Sequence, residues 1–167
     1  MATKEGIWVV DNKQEVKILR KKMADFDFKK YKKPELNDLI KKMREIMKNS
    51  NGIGLSANQI GLDSNFFIAQ VEGKFYAIFN PKILKFSDEI IDMEEGCLSV
   101  PEVFGNVRRP EKIVLEGFDK NNKKLKIKAW GLLARVFQHE VDHLNGKVFI
   151  DHTKDLYRYK EQLKTKN

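Results

Sequence analysis

The chain has 167 residues, 41% hydrophobic and 34% charged, which suits one soluble domain (residues 1–167) with a core of its own and excludes a disordered segment. A net charge of +8 suits polyanions as neighbours, although a solvated basic surface is the commoner reason for such an excess. A single cysteine excludes an internal disulfide, and no apolar run approaches the ~20 residues that span a membrane. Met1 to Gln14 carries no secretory pattern, so the expected address is the cytoplasm, with an organelle after trimming as the alternative.

In chain order, Lys13 to Lys33 is the first marked stretch, with nine basic residues against Glu15, Asp25 and Asp27. From Pro34 to Asn49, Leu36, Leu39, Ile40, Met43, Ile46 and Met47 fall at helical spacing, with Asn-Ser-Asn-Gly as the stop. Phe66–Val71 and Phe75–Phe79 read as a hairpin around Glu72-Gly73-Lys74, and Ile113–Phe118 and Leu125–Ala129 as a second around residues 119–122. In the last of these, Leu125, Ile127 and Ala129 alternate with lysines, so one face is expected buried and the other wet. Trp130 to Asn145 predicts a helix closed by Gly146, apolar around most of its circumference and therefore central. A short, weakly patterned helix is expected from about Thr153 to Leu163. Strands and helices do not alternate, so the expected class is α+β, with antiparallel β-sheets packed around that central C-terminal helix.

The central helix carries the chemistry. Two of the three histidines form His139-Glu140-Val141-Asp142-His143, an HExxH motif. Residues four apart on a helix advance by about 400°, so both imidazoles leave one face and can share a metal ion, with Glu140 in reach of a water on it. The competing account is a helix whose His and Glu satisfy ordinary hydrogen bonds. It must then explain a polar triplet on an apolar, buried helix, at a cost of roughly 1–3 kcal/mol for each unpaired group. For the third ligand, the metzincin extension fails because Phe149 stands where a histidine is required, and His152 lies outside that spacing. A downstream glutamate is available only at Glu161. Cys97, 42 residues upstream, completes the His2Cys set of a catalytic site with one open position. A lone cysteine is ordinarily a small buried hydrophobe, so its flanks matter.

Three segments together resemble peptide deformylase: Gly52-Ile53-Gly54-Leu55-Ser56-Ala57-Asn58-Gln59, Glu95-Gly96-Cys97-Leu98-Ser99 and Gln138-His139-Glu140-Val141-Asp142-His143-Leu144. They occur in the family's order, and the likeness runs from about Gly52 to Ile150. Ser56 departs from it, since the family usually has alanine there, and the segment after Ile150 is poorly matched.

The resemblance implies removal of the formyl group from formylmethionine at the N-terminus of nascent polypeptides, releasing formate. Cys97, His139 and His143 are then the metal ligands, with Glu140 as general base and later general acid. The resemblance assigns the oxyanion donors to the Gln59 side-chain amide and the Leu98 backbone N–H. Gly54 is read as a point of close backbone approach to an extended peptide, and Ile53, Leu132 and Val136 as the lining of a methionine pocket, each of which could also be ordinary core. Glu95 and Arg109 are read as a charged pair supporting the Cys97 loop. The likeness points to ferrous iron, while the ligand types alone also suit Zn2+, Ni2+ or Co2+. The expected partners are formylated nascent peptides and, through the basic segments 13–33 and 154–167, the ribosome; neither a membrane nor DNA is expected. The alternatives are an HExxH zinc metallopeptidase and a non-catalytic ribosome- or RNA-binding module.

Overall fold

A computed structural model of the chain describes residues 6–159. Three α-helices, α1 (Glu15–Leu19), α2 (Lys33–Asn49) and α3 (Gly131–Leu144), accompany two antiparallel sheets. The larger sheet has the order β1 (Gly54–Ser56), β2 (Phe66–Val71), β3 (Lys74–Phe86), β6 (Lys112–Phe118) and β7 (Lys124–Trp130). The smaller consists of β4 (Ile90–Cys97), β5 (Val100–Pro110) and β8 (Leu156–Arg158), in that order.

Each face of the larger sheet buries a different helix. Leu36, Ile40, Met43 and Met47, which share one face of α2, pack with Leu55, Phe66, Ile68 and Phe79. Burying each such side chain contributes roughly 1.5–3 kcal/mol. On the opposite face Ala134, Phe137 and Leu144 of α3 meet Phe67, Ala69, Ile78, Ile113, Leu115 and Ala129. Since successive strand residues point to opposite faces, the run Phe66-Phe67-Ile68-Ala69 serves both helices, and all four residues are fully buried.

The fold class agrees with the sequence reading, including both hairpins and the central helix. That helix ends where Gly146 takes φ +74°, and a Cβ there would lie 2.4 Å from the Arg20 carbonyl oxygen, so glycine is required twice over. The β4–β5 hairpin escaped the reading because its buried positions include Glu95 and Arg109, which break the apolar alternation that marks a strand. The expected helix near Thr153 is corrected over its described part: Leu156–Arg158 forms β8, with Val103, Phe104 and Gly105 of β5 as partners. A free strand edge and β-favouring tyrosines outweigh a weak helical pattern there. The remainder of that expectation, with much of the second basic segment, falls outside the described residues.

Candidate metal centre

Three donor atoms converge between the sheets. His139 and His143, one turn apart on α3, bring their Nε2 atoms to 3.2 Å, and Cys97 Sγ lies 3.1 Å from His143 Nε2. Cys97 ends β4, where the register with β5 shifts between Gly96 and Cys97; such an irregularity re-aims a side chain out of the regular ladder. All three donors lie within 4.8 Å of one another, and His143 is 1% exposed. Two ligands about 2.0–2.1 Å from one ion at a tetrahedral angle stand a little over 3 Å apart, so the donor set fits a borderline-soft divalent metal.

Behind His139 stands a buried charge network. Its Nδ1 lies 3.0 Å from Glu95 Oε2, an arrangement that leaves Nε2 free to coordinate. Glu95 in turn accepts from Arg109 Nε at 2.6 Å, Arg109 Nη2 at 3.1 Å and Arg135 Nη1 at 2.9 Å. Arg109 also donates to Asp142 at 2.7 Å, while Arg135 donates to the carbonyls of Val107 and Ile91. Burial alone would raise the Glu95 pKa; the hydrogen bonds from His139 and Arg109 overcome it and hold the carboxyl well below the usual range. Burial and the neighbouring His139 push His143 far down, so it stays neutral, as a ligand nitrogen must be.

Glu140 presents the opposite case. It is 3% exposed, its Oε2 meets no hydrogen-bond partner among the described residues, and burial raises its pKa to about 7. A buried carboxyl poised near neutrality, with one oxygen left without a partner, is an expensive arrangement with an obvious use in proton transfer. Gly54 of β1 makes room for it: a Cβ at that position would sit 2.3 Å from Glu140 Oε1.

Gln59, in a 3₁₀ turn after β1, is held by both of its ends. Its Oε1 accepts from Ser56 N at 3.0 Å and lies 3.0 Å from Ser56 Oγ, whose one proton it shares with Asn58. Its Nε2 therefore faces the metal ligands, 3.1 Å from Ser99 Oγ and 3.7 Å from Cys97 Sγ. Asn58 accepts from Ser56 Oγ at 2.8 Å and donates to the His143 carbonyl at 2.6 Å, tying this turn to the end of α3.

A cavity of about 680 Å³ opens over these groups. Ile53, Gly54, Gln59, Cys97, Leu98, Leu132, Val136, His139 and Glu140, all singled out in the sequence, line it, while His143 lies deeper. Ile53 and Leu132 stand at the rim, 46% and 41% exposed, and Val136 is deep at 6%. Leu98 occupies the turn between β4 and β5.

The sequence pattern of one family, described as polypeptide deformylase, matches residues 7–159. The chain belongs to this family. A peptide deformylase of Borreliella burgdorferi is 42% identical over 135 residues, covering 79% of this chain and 78% of the relative. Another, from Karelsulcia muelleri, is 44% identical over 138 residues, 80% and 71% of the two chains. Among solved structures, peptide deformylase from Thermotoga maritima superposes with a TM-score of 0.80 at 35% identity, covering 89% of this chain and 96% of that one. The Synechococcus elongatus enzyme, crystallised with actinonin, gives 0.81 at 32% identity, with 89% and 78% covered.

Within the deformylase frame, several supporting residues carry little signal in the sequence. Arg135 is one residue of a helical run in the sequence, although a cation on an apolar helix is itself the signal of a buried partner. Asn58, Ser99 and Asp142 carried no signal beyond lying inside the motifs.

Proposed function

We propose that the chain is a metal-dependent peptide deformylase that hydrolyses the formamide of formylmethionine on nascent polypeptides, as one catalytic domain working where translation occurs, in the cytoplasm. The observation that carries this reading is the convergence of Cys97, His139 and His143 beside a buried Glu140 with one unsatisfied oxygen at the floor of an open cavity. Cys97, His139 and His143 would hold the ion, with ferrous iron as the proposed native metal. When bound, it supplies Lewis acidity and acidifies a coordinated water to a pKa of about 7.

The protein's own groups divide the remaining work. Glu140 takes the proton of the attacking water and returns it to the departing amine as the formyl carbon–nitrogen bond breaks, leaving formate and a free N-terminus. The Gln59 Nε2 amide and the Leu98 N–H donate to the formyl oxygen as negative charge grows on it; one such donor is worth about 3–4 kcal/mol in the transition state. Glu95 fixes the tautomer and orientation of His139. The methionine side chain lies against Val136, with Ile53 and Leu132 at the mouth. β1 and β4 are edge strands of their sheets, and both border the cavity, so the substrate backbone pairs with an edge in extended form.

Formate release from a formyl-Met tripeptide, measured anaerobically with metal-reconstituted protein, tests the reading. Wild type is expected to turn over, and Glu140→Ala to lose about 10²–10⁴-fold in kcat while retaining its metal. No release from metal-loaded wild type, or hydrolysis of unformylated peptides instead, overturns it.

A further inference from the structure

α2 covers only part of its face of the larger sheet, packing against β1, β2 and the first half of β3. On the same face the far half of the sheet carries lysines. The register places Lys82 opposite Glu116 opposite Lys126, and Lys85 opposite Val114 opposite Lys128. Lys112 stands opposite Trp130, and Lys124 closes the row along β7. All six lysines are exposed, and Trp130 is 66% exposed. Glu116 is the lone acid on these rows, and it already pairs with Lys124 at 3.3 Å.

The border of the patch is basic too. Lys120, in the β6–β7 turn, donates to Asn37 of α2 at 3.0 Å, which brings that side of the helix up to the sheet. Lys33 and Lys41 lie four residues either side of Asn37 and share its stripe. Among the described residues of the two basic segments read from the sequence, Lys33 alone contributes to this face, and none of the face's residues lines the catalytic cavity.

We propose that this β3–β6–β7 face binds the phosphate backbone of single-stranded RNA. Lys124, Lys126 and Lys128 recur every second residue on a rigid strand, about 6.6–6.8 Å apart, a regular comb suited to a regularly charged chain. The flat, exposed ring of Trp130 at the end of the comb offers a base a surface to stack on. An anionic membrane has no comparable reason to match that fixed spacing, and an extended acidic peptide, which could match it, carries no base to stack on Trp130, the one large exposed apolar group on these rows.

Fluorescence anisotropy with a labelled single-stranded RNA of mixed sequence, using full-length metal-loaded protein across a salt series, tests this. The triple variant Lys124→Ala/Lys126→Ala/Lys128→Ala should weaken binding at least about ten-fold and flatten the log–log salt slope by about 2. Trp130→Ala should weaken it about five-fold or more with the slope unchanged. A charge-matched control, Lys29→Ala/Lys30→Ala/Lys32→Ala, should stay within about two-fold of wild type. Equal losses in the two triple variants would mean diffuse charge attraction and overturn the proposal. So would loss of binding to phosphatidylserine vesicles, but not to RNA, in the comb variant. Formate release and thermal unfolding should match wild type in every variant; if the triple variant fails to fold, the single reversal Lys126→Glu is read in its place against Lys30→Glu.

Discussion

At the scale of single residues, the site depends on what is missing as much as on what is present. Gly54 matters because its absent Cβ is the space the Glu140 carboxylate occupies. Gly54→Ala should push that carboxylate aside and lower kcat by about 10²-fold, since a displacement near 1 Å suffices for that. The unfolding temperature should hardly move, because the obstructing atom is the end of a flexible side chain; formate kinetics beside a thermal melt check both halves. Ser56 should behave in the opposite way. Its backbone N–H still holds Gln59 after Ser56→Ala, but Asn58 Oδ1 loses the Ser56 hydroxyl as donor in a fully buried position. That variant should lose about 1–3 kcal/mol of stability in a urea titration and keep its turnover within a few-fold. The sequence could flag Ser56 as a departure but could not assign its two acceptors, since side-chain contacts within one short turn leave no periodic trace.

At the scale of elements, β4, β5 and α3 are joined by charges and not by apolar packing alone. Glu95 from β4, Arg109 from β5 and Arg135 from α3 meet in one buried cluster. Removing one partner of such a cluster leaves the others as uncompensated buried charges. The sign of its pH dependence follows from Glu95, whose pKa in the folded protein lies well below its ordinary value of 4.5. A depressed carboxyl stabilises the fold fully above its unfolded pKa, and that contribution disappears as pH falls below about 4.5 toward the folded value. Glu95→Gln should therefore be much less stable than wild type at pH 7 and approach it as pH drops from about 5 to about 3, as denaturant midpoints would show. The same cluster explains which elements were legible. α2, α3 and the strands of the larger sheet bury apolar residues at the period of their element, and the sequence displays that directly. The β4–β5 hairpin buries Glu95 and Arg109, so the pairing that stabilises it is invisible until both strands are in place. The Arg109–Glu95 pair is legible from the residues around the Cys97 loop, whereas the part of Arg135 depends on which way α3 turns.

At the scale of the whole molecule, the two sheets contribute different things. The larger one supplies the hydrophobic bed for α3, and with it both histidines; the smaller one supplies the cysteine. Most of the site was legible because three short motifs carry it. The cavity was not, because its walls come from five separate stretches of chain that only the topology assembles. The uncovered lysine face is a third case: alternation predicted a wet side for β7, but not that the neighbouring strands would present lysines in the same rows.

Cys97 and His143 are 46 residues apart in sequence, and they meet across the gap between the sheets. An ion shared by them would close that stretch into a ring and, because only the folded chain brings the ligands together, its binding would hold the two sheets together in the folded state. Chelation should then do more than abolish turnover. It should release the β4–β5 hairpin first, so that amides of residues 90–110 exchange with deuterium faster while those of β2 and β3 stay protected. Uniform loosening of both sheets, or none, would mean that the buried charges already clamp the hairpin without help. Oxidation of the Cys97 sulfur should mimic chelation in this respect, making one thiol the fastener between the two halves of the fold.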